Sequence, residues 1–142
     1  MVDGDVAPRP ILQQLMPLAD YAVFSDAGIL AYTGLPDVSQ ALLHVAQQHS
    51  RHVGASCGAD GYYWVENGRI EHVAAPQVDV VDTLAAGDVF HGALALAILE
   101  GQSMRSAARF ACIAASLKCT QFGGRLGCPT RAEVEAVLQK TI

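Results

Sequence analysis

The stretch Val80-Val81-Asp82-Thr83-Leu84-Ala85-Ala86-Gly87-Asp88-Val89-Phe90-His91-Gly92-Ala93-Leu94 decides how this chain is read. Its upstream side, Val78-Asp79-Val80-Val81, is β-branched and predicts a strand. Its downstream side, Val89 to Leu99, is apolar except at His91 and Gly92 and predicts a buried helix. Residues 82–88 are then a tight turn at a helix start. The first N–H groups of a helix lack intrahelical acceptors, and the macrodipole adds positive charge there. Small residues at 85, 86 and 87 let an anion approach those N–H groups, so the turn suits a phosphate. A carboxylate at Asp88 would repel that phosphate unless it has work to do, such as taking a proton from an attacking hydroxyl. The plainer reading makes Asp88 a helix N-cap. The turn alone leaves both open.

Working outward, 142 residues allow one domain with a real core, and 51% hydrophobic against 16% charged residues argue for a folded chain. A net charge of −5 gives no electrostatic case for nucleic acid or an anionic membrane. With no basic-then-apolar leader and no span of membrane length, the expectation is a soluble, cytoplasmic protein. Cys57, Cys112, Cys119 and Cys128 lack C-x-x-C spacing, and two of them lie in apolar helical or strand contexts, which favours buried thiols over zinc ligands or disulfides. His44, His49 and His52 could meet at one metal, but no carboxylate or Cys completes the set at good spacing, so a solvated helix end is preferred. Neither G-x-x-x-x-G-K-[ST] nor G-x-G-x-x-G occurs.

Strands are expected at the first residues, at Tyr21 to Phe24 and at His52 to Ser56. Two more, Tyr62 to Val65 and Arg69 to Val73, are joined at Asn67-Gly68 as a hairpin. Helices are expected over Ile11–Leu18, over Ala27–Tyr32 stopping at Gly34, and from a cap at Asp37 to about His49. Two others are expected over Ser103–Thr120 and after Thr130, with Glu133 in the capping-box position. Strands alternating with helices predict an α/β fold with a largely parallel sheet and helices on both faces.

Residues 80–94 resemble the second signature of the ribokinase/PfkB carbohydrate kinases, D-T-x-[GA]-A-G-D followed by F-x-G-A, with Ala85 as an accepted alternative to Gly. The resemblance implies a ribokinase-like three-layer α/β/α sandwich with a mostly parallel sheet. It covers the chain as the C-terminal, nucleotide-binding half of such a domain, over residues 1–142, without the substrate and lid half. It implies ATP and Mg²⁺ as cofactors and a sugar hydroxyl as acceptor. Asp88 would be the catalytic base, with Ala85, Ala86 and Gly87 forming the anion hole.

Ser56-Cys57-Gly58-Ala59-Asp60-Gly61 resembles the family's T-x-G-x-x-G segment, which assigns Ser56, Gly58 and Gly61 to ATP. Gln121-Phe122-Gly123-Gly124-Arg125-Leu126-Gly127 falls where the family has a loop near adenine, which adds Gly123 and Gly124. In that comparison Asp82 and carbonyls of this loop would hold K⁺. Where many members have N-x-x-E for Mg²⁺, this chain has Ser25-Asp26-Ala27-Gly28, which leaves Asp26 as a weak substitute ligand. Leu117-Lys118-Cys119-Thr120 with Gly123-Gly124-Arg125 look like bacterial sulfofructose kinases, pointing to 6-deoxy-6-sulfofructose as one substrate. The rival expectations are a catalytically incompetent nucleotide-binding fragment, and a subunit that needs a homodimer mate or a completing partner chain.

Overall fold

A computed structural model of the chain describes residues 1–49 and 51–140. The chain divides into two compact units, one of residues 1–58 with 62–72, the other of residues 59–61 with 73 onward.

The first unit is built on β1 (Val2–Gly4), β2 (Tyr21–Ser25), β3 (His52–Ser56), β4 (Tyr62–Glu66) and β5 (Arg69–Val73), which lie side by side in chain order. The β1–β2 and β2–β3 pairs are parallel, with Ser25 opposite Ser56, and β4 runs antiparallel to β3 with Trp64 opposite Gly54. The β4–β5 connection is the expected Asn-Gly turn. Asn67 and Gly68 both have positive φ, 51° and 73°, as a hairpin turn matching strand twist requires.

Three helices accompany this sheet: α1 (Arg9–Leu15), α2 (Asp26–Thr33) and α3 (Val38–Gln48). Alternation along the strands sends Ala22 and Phe24 of β2, and Val53 and Ala55 of β3, to one face. There they join Leu12, Ile29, Ala41, Leu42 and Val45 from the helices in one buried cluster. Asp37 caps α3 by accepting the Gln40 N–H at 2.8 Å, and Gly34 ends α2 with φ 75°. The first helix departs from expectation. It begins at Arg9, because Pro10 fits a first turn, and after Leu15 it tightens to 3₁₀ over Met16–Leu18, where Pro17 offers no N–H to an α-helical ladder.

The second unit is helical: α4 (Ala86–Leu99), α5 (Met104–Cys119) and α6 (Arg131–Lys140). Phe90, Leu94 and Ala97 of α4 are buried, as are Ala107, Ala108, Ala111 and Ala114 of α5. The small side chains let helix backbones approach closely. Ser103 caps α5, and Thr130 with Glu133 forms the expected capping box: the Thr130 N–H donates to Glu133 Oε2 at 2.7 Å and the Glu133 N–H to Thr130 Oγ1 at 3.4 Å. Arg131 ties α6 to the end of α4 through Glu100 and lies 5.4 Å from the Phe110 ring centre.

One expectation fails here. Val78–Val81 forms no strand; residues 74–80 carry no regular secondary structure, and Val80 and Val81 are exposed. β-branched residues favour extended backbone, yet a strand exists only where a neighbouring ladder takes its N–H groups. The N–H groups of Val81 and Asp82 instead donate to the Cys119 carbonyl at 2.8 and 3.1 Å, docking the segment on the end of α5.

Candidate active site

The turn at 82–88 belongs wholly to the second unit, and its geometry follows from Asp82. The Leu84 N–H donates to Asp82 Oδ1 and the Gly123 N–H to Oδ2, each at 2.9 Å. These two N–H groups, chiefly, hold the Asp82 carboxyl below its ordinary pKa, helped by the nearby Lys118 ammonium. Thr83 accepts the Ala86 N–H at 3.1 Å, and Ala85 then turns left-handed, φ 62° and ψ 14°, to start α4. A left-handed alanine is uncommon, since a Cβ crowds the following carbonyl in this conformation.

Ala85 is therefore the N-cap, with no side-chain cap, and Asp88 is the third residue of the first turn. This overturns the plainer reading of Asp88 as the cap. The Asp88 carboxylate is exposed and lies where the helix dipole favours negative charge. Of the N–H groups expected to face an anion, that of Ala86 is engaged by Thr83, while those of Gly87 and Asp88 emerge from the helix end without an intrahelical acceptor.

Gly123 and Gly124 come to this turn from the far side. A Cβ at Gly124 would stand 3.6 Å from both Ala85 and Leu84, so the loop rests against the turn in ordinary contact. A cavity of about 450 Å³ opens beside them. Ala85, Asp88, Gly92, Ala93 and Leu96 of α4 form one wall, with Phe110 and Ala114 of α5 opposite and Arg125, Cys128 and Arg131 around the rest. Its walls are mainly apolar, which suits a ring system whose charged end reaches the helix start. Sequence reasoning did not single out Gly92, Ala93 and Leu96 as residues lining a cavity. The available signal was their spacing: residues 88, 92 and 96 share one face of α4.

The other expected residues lie elsewhere. Gly61, also in the second unit, has φ 94°, and a Cβ there would meet the Val73 carbonyl at 2.1 Å, so only glycine fits. Ser56 and Gly58 belong to the first unit. The Ser56 hydroxyl donates to the Phe24 carbonyl at 3.4 Å, and Gly58 opens an exposed 3₁₀ turn. Asp26 Oδ1 accepts the Ala27 N–H at 2.7 Å in the first turn of α2. Ser25 caps that helix, accepting the Gly28 N–H at 2.9 Å and donating to Asp5 at 2.8 Å. No side chain could stand at Gly28, since a Cβ would lie 2.0 Å from the Gly4 carbonyl. Among the described residues no group of three His, Cys, Asp or Glu side chains could hold a metal, and the three histidines do not assemble. His44 Nε2 pairs with Gln48, and His52 Nε2 lies 2.8 Å from the Tyr62 hydroxyl. No helix among the described residues is long and apolar enough to cross a membrane.

The model of the pfkB family carbohydrate kinases matches residues 3–131. The chain belongs to that family. The chain is similar to a 1-phosphofructokinase from Vibrio cholerae, 33% identical over 95 residues that are 67% of this chain and 30% of that protein. Among solved structures, a provisionally assigned ribokinase from Agrobacterium tumefaciens is 42% identical with a TM-score of 0.95, covering 98% of this chain and 46% of that one. The Arabidopsis thaliana ribokinase complexed with ribose and ATP is 28% identical with a TM-score of 0.85, covering 97% and 47%. The pfkB signature thus sits on the ribokinase-like α/β fold that its residues imply. The chain spans less than half the length of each of these relatives.

Proposed function

We propose that this chain is the C-terminal, nucleotide-handling part of a pfkB-type sugar kinase, which moves the terminal phosphoryl group of MgATP to a sugar hydroxyl. The observation that carries the proposal is the exposed Asp88 carboxylate at the start of α4, beside open N–H groups and on the rim of an apolar cavity of about 450 Å³. Phosphoryl transfer asks a protein for alignment and charge stabilisation more than for covalent chemistry. Asp88 takes the proton of the attacking hydroxyl. The N–H groups of Gly87 and Asp88, with the small side chains of Ala85 and Ala86 leaving the approach clear, stabilise charge on the phosphoryl oxygens. The cavity between α4 and α5 receives the base.

Mg²⁺ would enter as part of the nucleotide substrate. The relatives named above frame the acceptor as ribose or a phosphorylated fructose. Residues 117–120 and 123–125 add 6-deoxy-6-sulfofructose to the panel. Coupled assay of ADP release from the complete natural protein, with each of these sugars, tests the reading. Sugar-dependent ADP formation is expected. Nucleotide binding without turnover on any sugar would replace it with a non-catalytic nucleotide-binding piece. A second reading, a subunit completed by a partner chain, is favoured by β1, which pairs on one side only among the described residues. Sedimentation that shows a monodisperse, cooperatively unfolding monomer would remove it.

A further inference from the structure

Lys118 is the last-turn residue of α5 and its side chain is 0% exposed. A buried ammonium is costly unless oxygens surround it. Nζ donates to the Asp82 carbonyl at 2.8 Å and to the Gln121 carbonyl at 3.3 Å, and stands 3.5 Å from Asp82 Oδ2. The position is doubly suited to a cation, since the C-terminal end of a helix carries partial negative charge. These oxygens come from the two segments, the 82–88 turn and the 121–127 loop, from which a free K⁺ would have been drawn.

Both Asp82 carboxylate oxygens are already engaged where such an ion would bind. Oδ1 receives the Leu84 N–H and Oδ2 the Gly123 N–H, with the ammonium alongside. A free cation added there would face a fixed positive charge and two N–H dipoles. The residues present therefore do not fit K⁺.

We infer that the Lys118 ammonium is a built-in cation: a positioning residue that braces the Asp82–Asp88 turn against the 121–124 loop, making the site independent of monovalent ions. The group is carried by the chain, so nothing has to be captured from solution. Lys118 does not reach a reacting atom; it acts through Asp82, whose two hydrogen bonds set the path of Leu84 and Ala85 into α4. The kinetic arm of the inference rests on the kinase reading, whereas the bracing does not.

The test compares the complete natural protein and its Lys118→Ala variant in potassium, ammonium and tetramethylammonium chloride at equal ionic strength. Hydrogen exchange reports on the Leu84 and Gly123 amides, and kcat/KM for ATP is followed alongside. In the parent, exchange and kinetics are expected to be the same in all three salts. In Lys118→Ala with tetramethylammonium, both amides should lose protection and kcat/KM should fall by about tenfold or more. Potassium or ammonium should restore both by filling the vacated space. Activation or protection of the parent by potassium of more than about fivefold would overturn the inference. So would parental behaviour of Lys118→Ala in tetramethylammonium. If that variant does not fold, the parent's response to the three salts decides alone. If no sugar is phosphorylated, the kinase reading fails while the exchange data still decide the bracing.

Discussion

The Gly123 N–H donates to Asp82 Oδ2 at 2.9 Å, joining two segments 41 residues apart in the chain. With the Leu84 N–H on Oδ1, it makes Asp82 the hinge pin of the 82–88 turn. Asp82→Asn keeps the shape but leaves one acceptor oxygen where two are used, and turns an NH₂ group toward an N–H or the Lys118 ammonium. The carboxyl titrates lower in the folded chain than its ordinary value, because those two N–H groups stabilise its charged form. Its contribution is therefore present above its ordinary pKa and is lost as the pH falls through the folded value. Urea unfolding across the acid range should show a lower midpoint for Asp82→Asn at neutral pH and convergence with the parent in strong acid. Superimposed curves at neutral pH would show that Asp82 does not hold the turn.

Much of this was legible in the chain because local signals agreed with the fold. The caps at Asp37 and Thr130, the stop at Gly34 and the Asn67-Gly68 hairpin each depend on a few adjacent residues, and each stands where it was expected. The signature turn was legible for the same reason. Val78–Val81 was not, because a strand is settled by a neighbour's hydrogen-bonding groups, and the Val81 N–H goes to the Cys119 carbonyl at the end of α5 instead. Lys118 was hidden too. On an apolar helix a lysine reads as a residue whose ammonium reaches water, and only the folded chain shows the carbonyls of Asp82 and Gln121 converging on it.

Asp88 is the sharpest point of the functional reading. Asp88→Asn preserves volume and the helix start but cannot accept a proton. On the proposed reaction, kcat should fall by about 10²–10⁴-fold, the range typical of losing a general base, while ATP affinity stays near the parental value. Steady-state kinetics paired with calorimetric titration of ATP would check both halves. A kcat within a few fold of the parent would remove Asp88 as the base.

Ala85 tests the backbone of the turn independently of activity. Its φ of 62° carries a left-handed penalty of about 1–2 kcal/mol for a residue with a Cβ. Ala85→Gly relieves that strain but frees the unfolded chain by about 0.5–1 kcal/mol, so thermal unfolding should move little or slightly upward. Ala85→Val places a β-branched side chain in the same conformation, against Gly124, and should lower the midpoint clearly. Equal midpoints for the glycine and valine variants would contradict the left-handed geometry.

His52 supplies a separate pH signal from the first unit. Burial lowers its pKa to about 4 from 6.5, with Nε2 against the Tyr62 hydroxyl. The folded chain thus resists protonating it, whereas the unfolded chain protonates it below about 6.5. Stability from this group is unaffected above that value and declines as the pH falls from about 6.5 to about 4, by up to ~3 kcal/mol in total. His52→Gln should flatten that part of the stability profile relative to the parent, measured as urea midpoints from pH 7 to 4.5. Parallel profiles would mean His52 charges freely in the folded chain.

Thiol chemistry can report on the cavity without any sugar. Cys128 is exposed and lines the cavity with Asp88 and Gly92, whereas Cys112 is buried on α5 and its thiol is pushed up to about 12. Iodoacetamide reacts with thiolates, so Cys128 should alkylate readily at pH 8 and Cys112 not at all until the chain unfolds. A nucleotide seated between α4 and α5 would cover Cys128. Peptide mass spectrometry after timed alkylation should therefore show Cys128 labelling slowed by saturating MgATP, with Cys112 unmodified throughout. Labelling of Cys128 at the same rate with and without MgATP would place the nucleotide away from this cavity, whatever the fate of Asp88.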